Sequence, residues 1–167
     1  MSETEMSFLD HLEELRWRII KSVSAVLICA IPCGIFWKKI FTVLMIHPLR
    51  FSEVKPKLIT TAPHEAIVLS IKIAFLGGVI LAMPIVIYQL WRFIAPGLYK
   101  NEKIVIIPTV IGSTISFLLG ISFAYFVLPY IIKFLSQFGS DLMSAMYKIN
   151  EYLGFLIKII LAFGIVF

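Results

Sequence analysis

The stretch from Ile104 to Leu128, IVIIPTVIGSTISFLLGISFAYFVL, decides the fold because none of its 25 residues carries a charge. An α-helix rises about 1.5 Å per residue, so a stretch of this length can cross a hydrocarbon layer about 30 Å thick. A second stretch, from Ile73 to Trp91, is uncharged over 19 residues. Both are continuously apolar, whereas the strands of a membrane β-barrel alternate apolar and polar residues. The sequence therefore predicts membrane-spanning α-helices, which satisfy their own backbone hydrogen bonds in lipid.

Two further apolar stretches extend this pattern. The stretch from Ile19 to Trp37 contains only Lys21 as a charged residue, and the stretch from Tyr152 to Phe167 contains only Lys158. The latter is shorter than the roughly 20 residues that a span needs, so we expect the fourth span to be incomplete in this chain. The chain is 60% hydrophobic and 15% charged, with mean hydropathy +0.97, whereas soluble domains are about 45–50% apolar and about 25% charged. We expect an all-α integral membrane protein, a multispanning helical bundle.

The predicted segments alternate between spans and connecting regions. In order, we expect an amphipathic N-terminal helix over 1–18, span 1 over 19–37, a loop over 38–64, span 2 over 65–93, a connector over 94–103, span 3 over 104–128, a loop over 129–150 and span 4 over 151–167. Phe8, Leu12, Leu15 and Ile19 recur at helical spacing, which favours a helix lying on the membrane surface. Pro129 is expected to end the helix of span 3, because proline has no N–H to donate.

The basic residues do not decide how the chain is oriented. Six lysines and arginines lie on the side of the N-terminus and the 94–103 connector, and seven lie on the other side, so the positive-inside rule gives a tie. The net charge of +5 indicates contact with anionic lipid instead of nucleic acid.

Acidic residues are scarce, and Glu14 and Glu102 lie on the same side of the membrane. Glu14 is four residues before Arg18, so a local ion pair worth a few tenths of a kcal/mol is one interpretation. Glu102 lies in the connector, where it can stabilise the N-terminus of the next helix. The alternative for both is that they receive a cationic partner, since a carboxylate accepts the planar fork of an arginine in a bidentate way.

A second charged pair lies at the other end of span 2. Glu65 begins this span, where a negative charge stabilises a helix N-terminus. Lys72 lies two turns further on and is costly within lipid without a partner, so we expect it to pair with Glu65. If that pair binds an ion, the protein is a secondary transporter or channel subunit. Transporters usually have repeated halves, and this sequence has no internal repeat.

No pattern in the sequence predicts catalysis or a metal site. There is no Ser–His–Asp set, no glycine-rich phosphate loop and no Cys/His cluster with zinc-like spacing. Cys29 and Cys33 lie on one helix face inside span 1, and we expect two buried thiols, which behave as small apolar groups. The sequence predicts a non-enzymatic protein without a cofactor or a metal ion.

Motifs spread along nearly the whole chain resemble those of the TatC family, the multispanning subunit of the twin-arginine protein translocase. HLEELRWR over 11–18 is similar to the family's H-L-x-E-L-R-x-R. The other matching positions, in chain order, are Pro48-Leu49, Pro63-His64-Glu65, Pro84, Tyr88, Trp91, Phe93, Pro96-Gly97-Leu98, Glu102, Gly120, Tyr125-Phe126 and Pro129. The chain departs from the family at Ile67, where the family usually has Phe. It also has fewer than the family's six spans.

The resemblance implies a receptor and scaffold that binds the twin-arginine signal peptide of folded cargo and uses the proton-motive force. It implies a location in the cytoplasmic (inner) membrane with the N-terminus and the 94–103 connector in the cytoplasm. The implied partners are the single-span subunits TatA and TatB, membrane lipid and further copies of the chain within a hetero-complex.

The resemblance also implies roles for particular residues. Glu102 is the primary arginine acceptor and Glu14 the second, with Arg16 and Arg18 ordering the helix that carries Glu14. The remaining residues are Phe93, Pro96 and Leu98, which shape the signal-peptide site, and Pro48, Glu65, Tyr125 and Pro129, which serve structure or partner contact.

Overall fold

The computed structural model describes residues 8–51, 57–94, 106–139 and 146–167, and these residues are mainly helical. The elements are α1 (Phe8–Ile35), α2 (Trp37–Phe41), a π-helical turn (Thr42–Ile46), α3 (His47–Phe51), β1 (Lys57–Ile59), α4 (Glu65–Ile94), α5 (Ile106–Gly139), β2 (Met146–Lys148) and α6 (Ile149–Val166). Four helices, α1, α4, α5 and α6, are long and apolar enough to cross a membrane. The predicted class, an all-α multi-pass membrane protein, is confirmed.

Helix α1 joins two segments that the sequence analysis separates. The N-terminal amphipathic segment and the first apolar stretch form one continuous helix. Pro32 lies within it, and the helix ends three residues later at Ile35; the N–H of the next residue, Phe36, donates to the Pro32 carbonyl. The residue at this break has φ −96° and ψ 16°, and α2 begins directly after it. The chain therefore changes direction at Phe36 before it reaches the π-helical turn.

Small residues hold α1 close to α4. A Cβ atom added to Gly78 would lie 2.8 Å from the Ala30 Cβ and 2.8 Å from the Val26 carbonyl oxygen. The next residue back, Gly77, faces Cys33 in the same way. Helices in lipid gain most from such close packing, because lipid tails give no hydrophobic force between spans. Both cysteines are free; Cys33 is buried as predicted, whereas Cys29 is only partly buried.

Helices α5 and α6 make a second close pair. A Cβ atom on Gly120 would lie 2.5 Å from the Phe163 carbonyl oxygen, and one on Gly164 would lie 2.8 Å from the Phe117 ring. Helix α5 also packs against α4 and α3. The core lies where these helices meet, and its large, fully buried side chains include Met45, Ile73, Leu128, Leu153, Leu156 and Ile160.

Pro129 lies inside α5, so the expectation that it ends the helix is wrong. The helix continues for ten residues beyond it, to Gly139. Leu128 and Ile132, on either side of the proline, are both buried in the core. Packing on both sides therefore outweighs the cost of the missing N–H, which a local sequence rule cannot register.

A short parallel strand pair joins the two loops at the end of the bundle opposite the N-terminus. Lys57, Leu58 and Ile59 pair with Met146, Tyr147 and Lys148, respectively. The sequence does not predict it, because three residues are too few to show an alternating pattern. The pair ties the segment before α4 to the segment before α6.

Candidate functional site

Glu14 and Arg18 form an ion pair near the start of α1. The Arg18 Nε donates to Glu14 Oε1 at 3.0 Å, and the Arg18 Nη2 contacts the same oxygen. The two side chains are 25% and 13% exposed, so the pair is largely shielded from water. The local ion pair that the spacing predicts is confirmed. Nε and Nη2 of Arg18 are therefore both directed to the same oxygen of the carboxylate, Oε1.

The contacts from Arg18 involve only Oε1 of Glu14 and leave Oε2 without a donor from Arg18. Glu14 Oε2 is buried and accepts no hydrogen bond from any residue that the structure describes. The His11 Nδ1 lies 3.8 Å away, beyond hydrogen-bonding distance. An unsatisfied buried acceptor costs about 1–3 kcal/mol, and more when it is charged. Glu14 therefore presents an acceptor that a further donor would stabilise.

His11 connects this carboxylate to the end of α4. Its ring stacks on Phe93, with centroids 4.4 Å apart and planes 16° from parallel. The structure thus brings together three predicted site residues, Glu14, Arg18 and Phe93, at one end of the α1–α4 pair. Arg16, also predicted for the site, is exposed on the same helix. Sequence reasoning missed His11, although its position three residues before Glu14 places it on the same helix face.

Three predicted site residues lie outside the described part of the chain. Pro96, Leu98 and Glu102 all fall within 95–105. Their convergence with Glu14 stays a prediction. Within residues 8–51, 57–94, 106–139 and 146–167, no three His, Cys, Asp or Glu side chains form a group that could hold a metal ion.

Glu65, at the opposite end of α4, accepts hydrogen bonds from one neighbour at both carboxylate oxygens. It is buried, and both of its oxygens accept hydrogen bonds from Thr61: the backbone N–H at 2.8 Å and the hydroxyl at 2.5 Å. Lys72 instead donates to the side-chain oxygen of Asn150 on α6, at 3.4 Å. The expected Glu65–Lys72 pair is therefore wrong. The transporter alternative depended on that pair, so it loses its support.

Pro48 and Tyr125, two residues predicted for structure or partner contact, meet at the π-helical turn. The His47 N–H donates to the Thr42 carbonyl, five residues back. The next carbonyl in this register, Val43, would need the N–H of Pro48, which proline lacks. The Tyr125 hydroxyl of α5 donates to the Val43 carbonyl oxygen at 2.9 Å instead. Tyr125 thus supplies the hydrogen bond that Pro48 cannot.

A groove of about 560 Å³ lies beside this contact. Tyr125 and Pro129 both line it, together with Phe51, Tyr130 and Lys133. Tyr152, which sequence reasoning missed, reaches the same π-helical turn from α6, with its hydroxyl 3.5 Å from the Met45 carbonyl oxygen.

Comparison with known proteins gives a consistent result. The family model described as Sec-independent protein translocase protein (TatC) matches residues 10–167. The Sec-independent protein translocase protein TatC of Helicobacter pylori is 42% identical over 158 residues, which cover 94% of this chain and 61% of that protein. The TatC protein of Aquifex aeolicus is 42% identical over 165 residues, covering 97% of this chain and 68% of that protein.

A solved structure is similar over nearly the same length. The crystal structure of a twin-arginine translocase receptor, TatC, superposes with a TM-score of 0.84 at 42% identity, covering 93% of this chain and 69% of that one. The chain spans less than two thirds of the length of the Helicobacter relative.

Proposed function

Since this chain belongs to the TatC family of Sec-independent protein translocase proteins, we propose that it acts as a receptor for twin-arginine signal peptides. In this role it is the core scaffold of the translocase that exports folded proteins by means of the proton-motive force. The observation that carries the proposal is the buried Oε2 of Glu14, which accepts no hydrogen bond from the described residues and lies near His11, whose ring stacks on Phe93. The proposed action is recognition and transport, without a catalytic step.

The geometry of Glu14 suits an arginine of the signal peptide. Arg18 holds Oε1, which fixes the plane of the carboxylate and leaves Oε2 as the open acceptor. A guanidinium carries five N–H donors in a rigid fork, so it can bind Oε2 with directional hydrogen bonds. A lysine ammonium is a compact point charge that is more strongly hydrated and costs more to bury. Glu14 would then lie between Arg18 and an arginine of the cargo.

Two arginines need two acceptors, and we assign the first of them to Glu102. Glu102 follows α4 on the same side of the membrane as Glu14 in the proposed topology. Pro96 and Leu98 would shape the connector that presents it, and Arg16 would help to order the helix that carries Glu14. Support for this assignment is the position of Phe93 near the end of α4, only nine residues before Glu102.

The proposed setting is the cytoplasmic membrane, with the N-terminus and the 94–103 connector on the cytoplasmic side. The proposed partners are TatA, TatB and further copies of this chain. Helix α1 offers a long apolar surface for lipid or for partner spans, since Leu27, Ile28, Ile31 and Ile35 are all more than half exposed. At the opposite end, we propose that Pro48, Glu65, Tyr125 and Pro129 stabilise the outer surface and any partner contact there.

The direct test is binding of a signal peptide that carries a photo-reactive residue next to its Arg-Arg pair, compared with a Lys-Lys version. In the membrane-inserted protein, Glu14→Gln and Glu102→Gln each remove one charged acceptor. A hydrogen bond to a charged group contributes about 1.5–3 kcal/mol, so Arg-Arg binding should fall about tenfold or more. Crosslinks should map to α1 and to the end of α4.

Glu13→Gln is the matched control, because Glu13 is the neighbouring acid and is exposed. It changes the net charge by the same amount and should leave binding unchanged. If Arg-Arg and Lys-Lys peptides bind equally, or if Glu13→Gln weakens binding as much as Glu14→Gln, the receptor role of this site is wrong.

A further inference from the structure

The His11 ring lies between two parts of the proposed site. One face of it stacks on Phe93 of α4, 4.4 Å between centroids. Its Nδ1 lies 3.8 Å from the open oxygen of Glu14 on its own helix. His11 therefore touches both helices that build the site, and it does so without using up the acceptor.

At the tip of α1, the turn that carries His11 and Glu14, this ring stack is a contact with the end of α4. Farther along, the two helices are packed closely at Gly78, which faces Val26 and Ala30. Glu14 is twelve residues before Val26, or about 18 Å along the helix axis. Near the tip, Leu12 and Trp17 are 45% and 56% exposed. The stacked pair of His11 and Phe93 is the ring contact that joins the two helices at this end.

We propose that His11 is a positioning residue for arginine recognition: stacked on Phe93, its ring holds the tip of α1 so that the open oxygen of Glu14 faces the end of α4. The inference rests on the proposed function, in which Glu14 receives an arginine of the signal peptide. It assigns the positioning to the ring and its stack, not to the ring nitrogen.

Alignment of this kind favours arginine over lysine. The guanidinium fork binds well only when the acceptor has a defined direction, because its N–H groups are fixed in one plane. An ammonium has three rotatable donors and tolerates a misplaced acceptor. Loss of the stack should therefore weaken Arg-Arg binding more than Lys-Lys binding. An aromatic pair of typical strength corresponds to a factor of about five in affinity.

The test measures the affinity of membrane-inserted protein for fluorescent Arg-Arg and Lys-Lys signal peptides and compares their ratio among variants. His11→Ala removes the ring and should lower the ratio about fivefold. His11→Phe keeps a ring against Phe93 and lacks the nitrogen, and it should restore the ratio. His47→Ala is the matched control, since His47 also contacts an aromatic ring, that of Phe51 at 5.1 Å, but at the opposite end of the molecule.

The outcomes separate this inference from the proposed function. A ratio that falls in His11→Ala and recovers in His11→Phe supports positioning by the ring. An equal loss for both peptides means a general structural role and overturns the inference, as does a ratio that His11→Phe fails to restore. If Glu14→Gln lowers the ratio and His11→Ala does not, the inference fails and the proposed function stands. If neither variant changes the ratio, the proposed function fails as well.

Discussion

The hydrogen bond from Tyr125 to the π-helical turn gives a stability prediction that follows from the backbone. Tyr125→Phe removes the hydroxyl that donates to the Val43 carbonyl oxygen at 2.9 Å. Neither neighbouring backbone position then supplies a donor to that carbonyl, because Pro48 has no N–H and the His47 N–H is bonded to Thr42. Hydrogen bonds between spans contribute about 0.6 kcal/mol on average and up to about 1.7 kcal/mol. We expect the free energy of unfolding to fall by about 1 kcal/mol.

A double-mutant cycle tests the reason for that loss. Pro48→Ala restores an N–H at position 48, in register to donate to the Val43 carbonyl. In that background, Tyr125→Phe should cost half as much or less, which gives a coupling energy of about 0.5 kcal/mol or more. Unfolding of the purified protein by SDS in mixed micelles, followed by far-UV circular dichroism, measures each corner of the cycle.

The control for this cycle is Tyr130→Phe. Tyr130 lies on the same helix and is largely exposed, so loss of its hydroxyl should change the free energy of unfolding little. An equal cost of Tyr125→Phe with and without Pro48 would refute the idea that the tyrosine replaces the missing N–H. An equal cost of Tyr130→Phe would show that the loss does not come from this hydrogen bond.

Two further predictions concern helix packing and the start of α4. Gly78→Ala places a Cβ atom 2.8 Å from atoms of α1 and should lower the free energy of unfolding by about 1–3 kcal/mol. Gly112→Ala is the control, because a Cβ atom there has no neighbouring atom within 4 Å. In the same SDS assay it should leave the free energy of unfolding unchanged or raise it. Thr61→Val removes the hydroxyl that donates to Glu65 and should lower the midpoint of thermal unfolding. Thr60→Val, at an exposed position, is the control. An equal shift of the midpoint in both variants would show that the Glu65 contact is unimportant for stability.

The sequence predicts the helices because their signal is local. An uncharged run of about 20 residues has one stable conformation in lipid, whatever its neighbours are. The ion pair of Glu14 with Arg18 was predictable for the same reason, since four residues of helix fix their separation. Proline rules are also local, but they failed at Pro129. There the helix continues because Leu128 and Ile132 are buried against distant parts of the chain.

The contacts that shape the site join residues far apart in sequence, and a single sequence does not show them. The stack of His11 on Phe93 depends on how α1 lies along α4, which small residues such as Gly78 determine. Glu65 illustrates the same limit. Its helical position suggested Lys72 as a partner, but Thr61 in the preceding loop supplies both hydrogen bonds.

The two ends of the bundle differ in whether their polar acceptors have hydrogen-bond donors, and this difference bears on function. At the end opposite the N-terminus, the Glu65 carboxylate and the Val43 carbonyl oxygen both have donors, and the strand pair joins the loops. At the end that carries Glu14, a buried carboxylate oxygen is left without a donor among the described residues. Folding alone gains nothing from such an acceptor, since a buried acceptor without a donor costs free energy. A cationic ligand recovers that cost when it binds, so the same atom that weakens the free protein strengthens the complex. This arrangement is consistent with the proposed function, in which Glu14 binds an arginine of the signal peptide and releases it again.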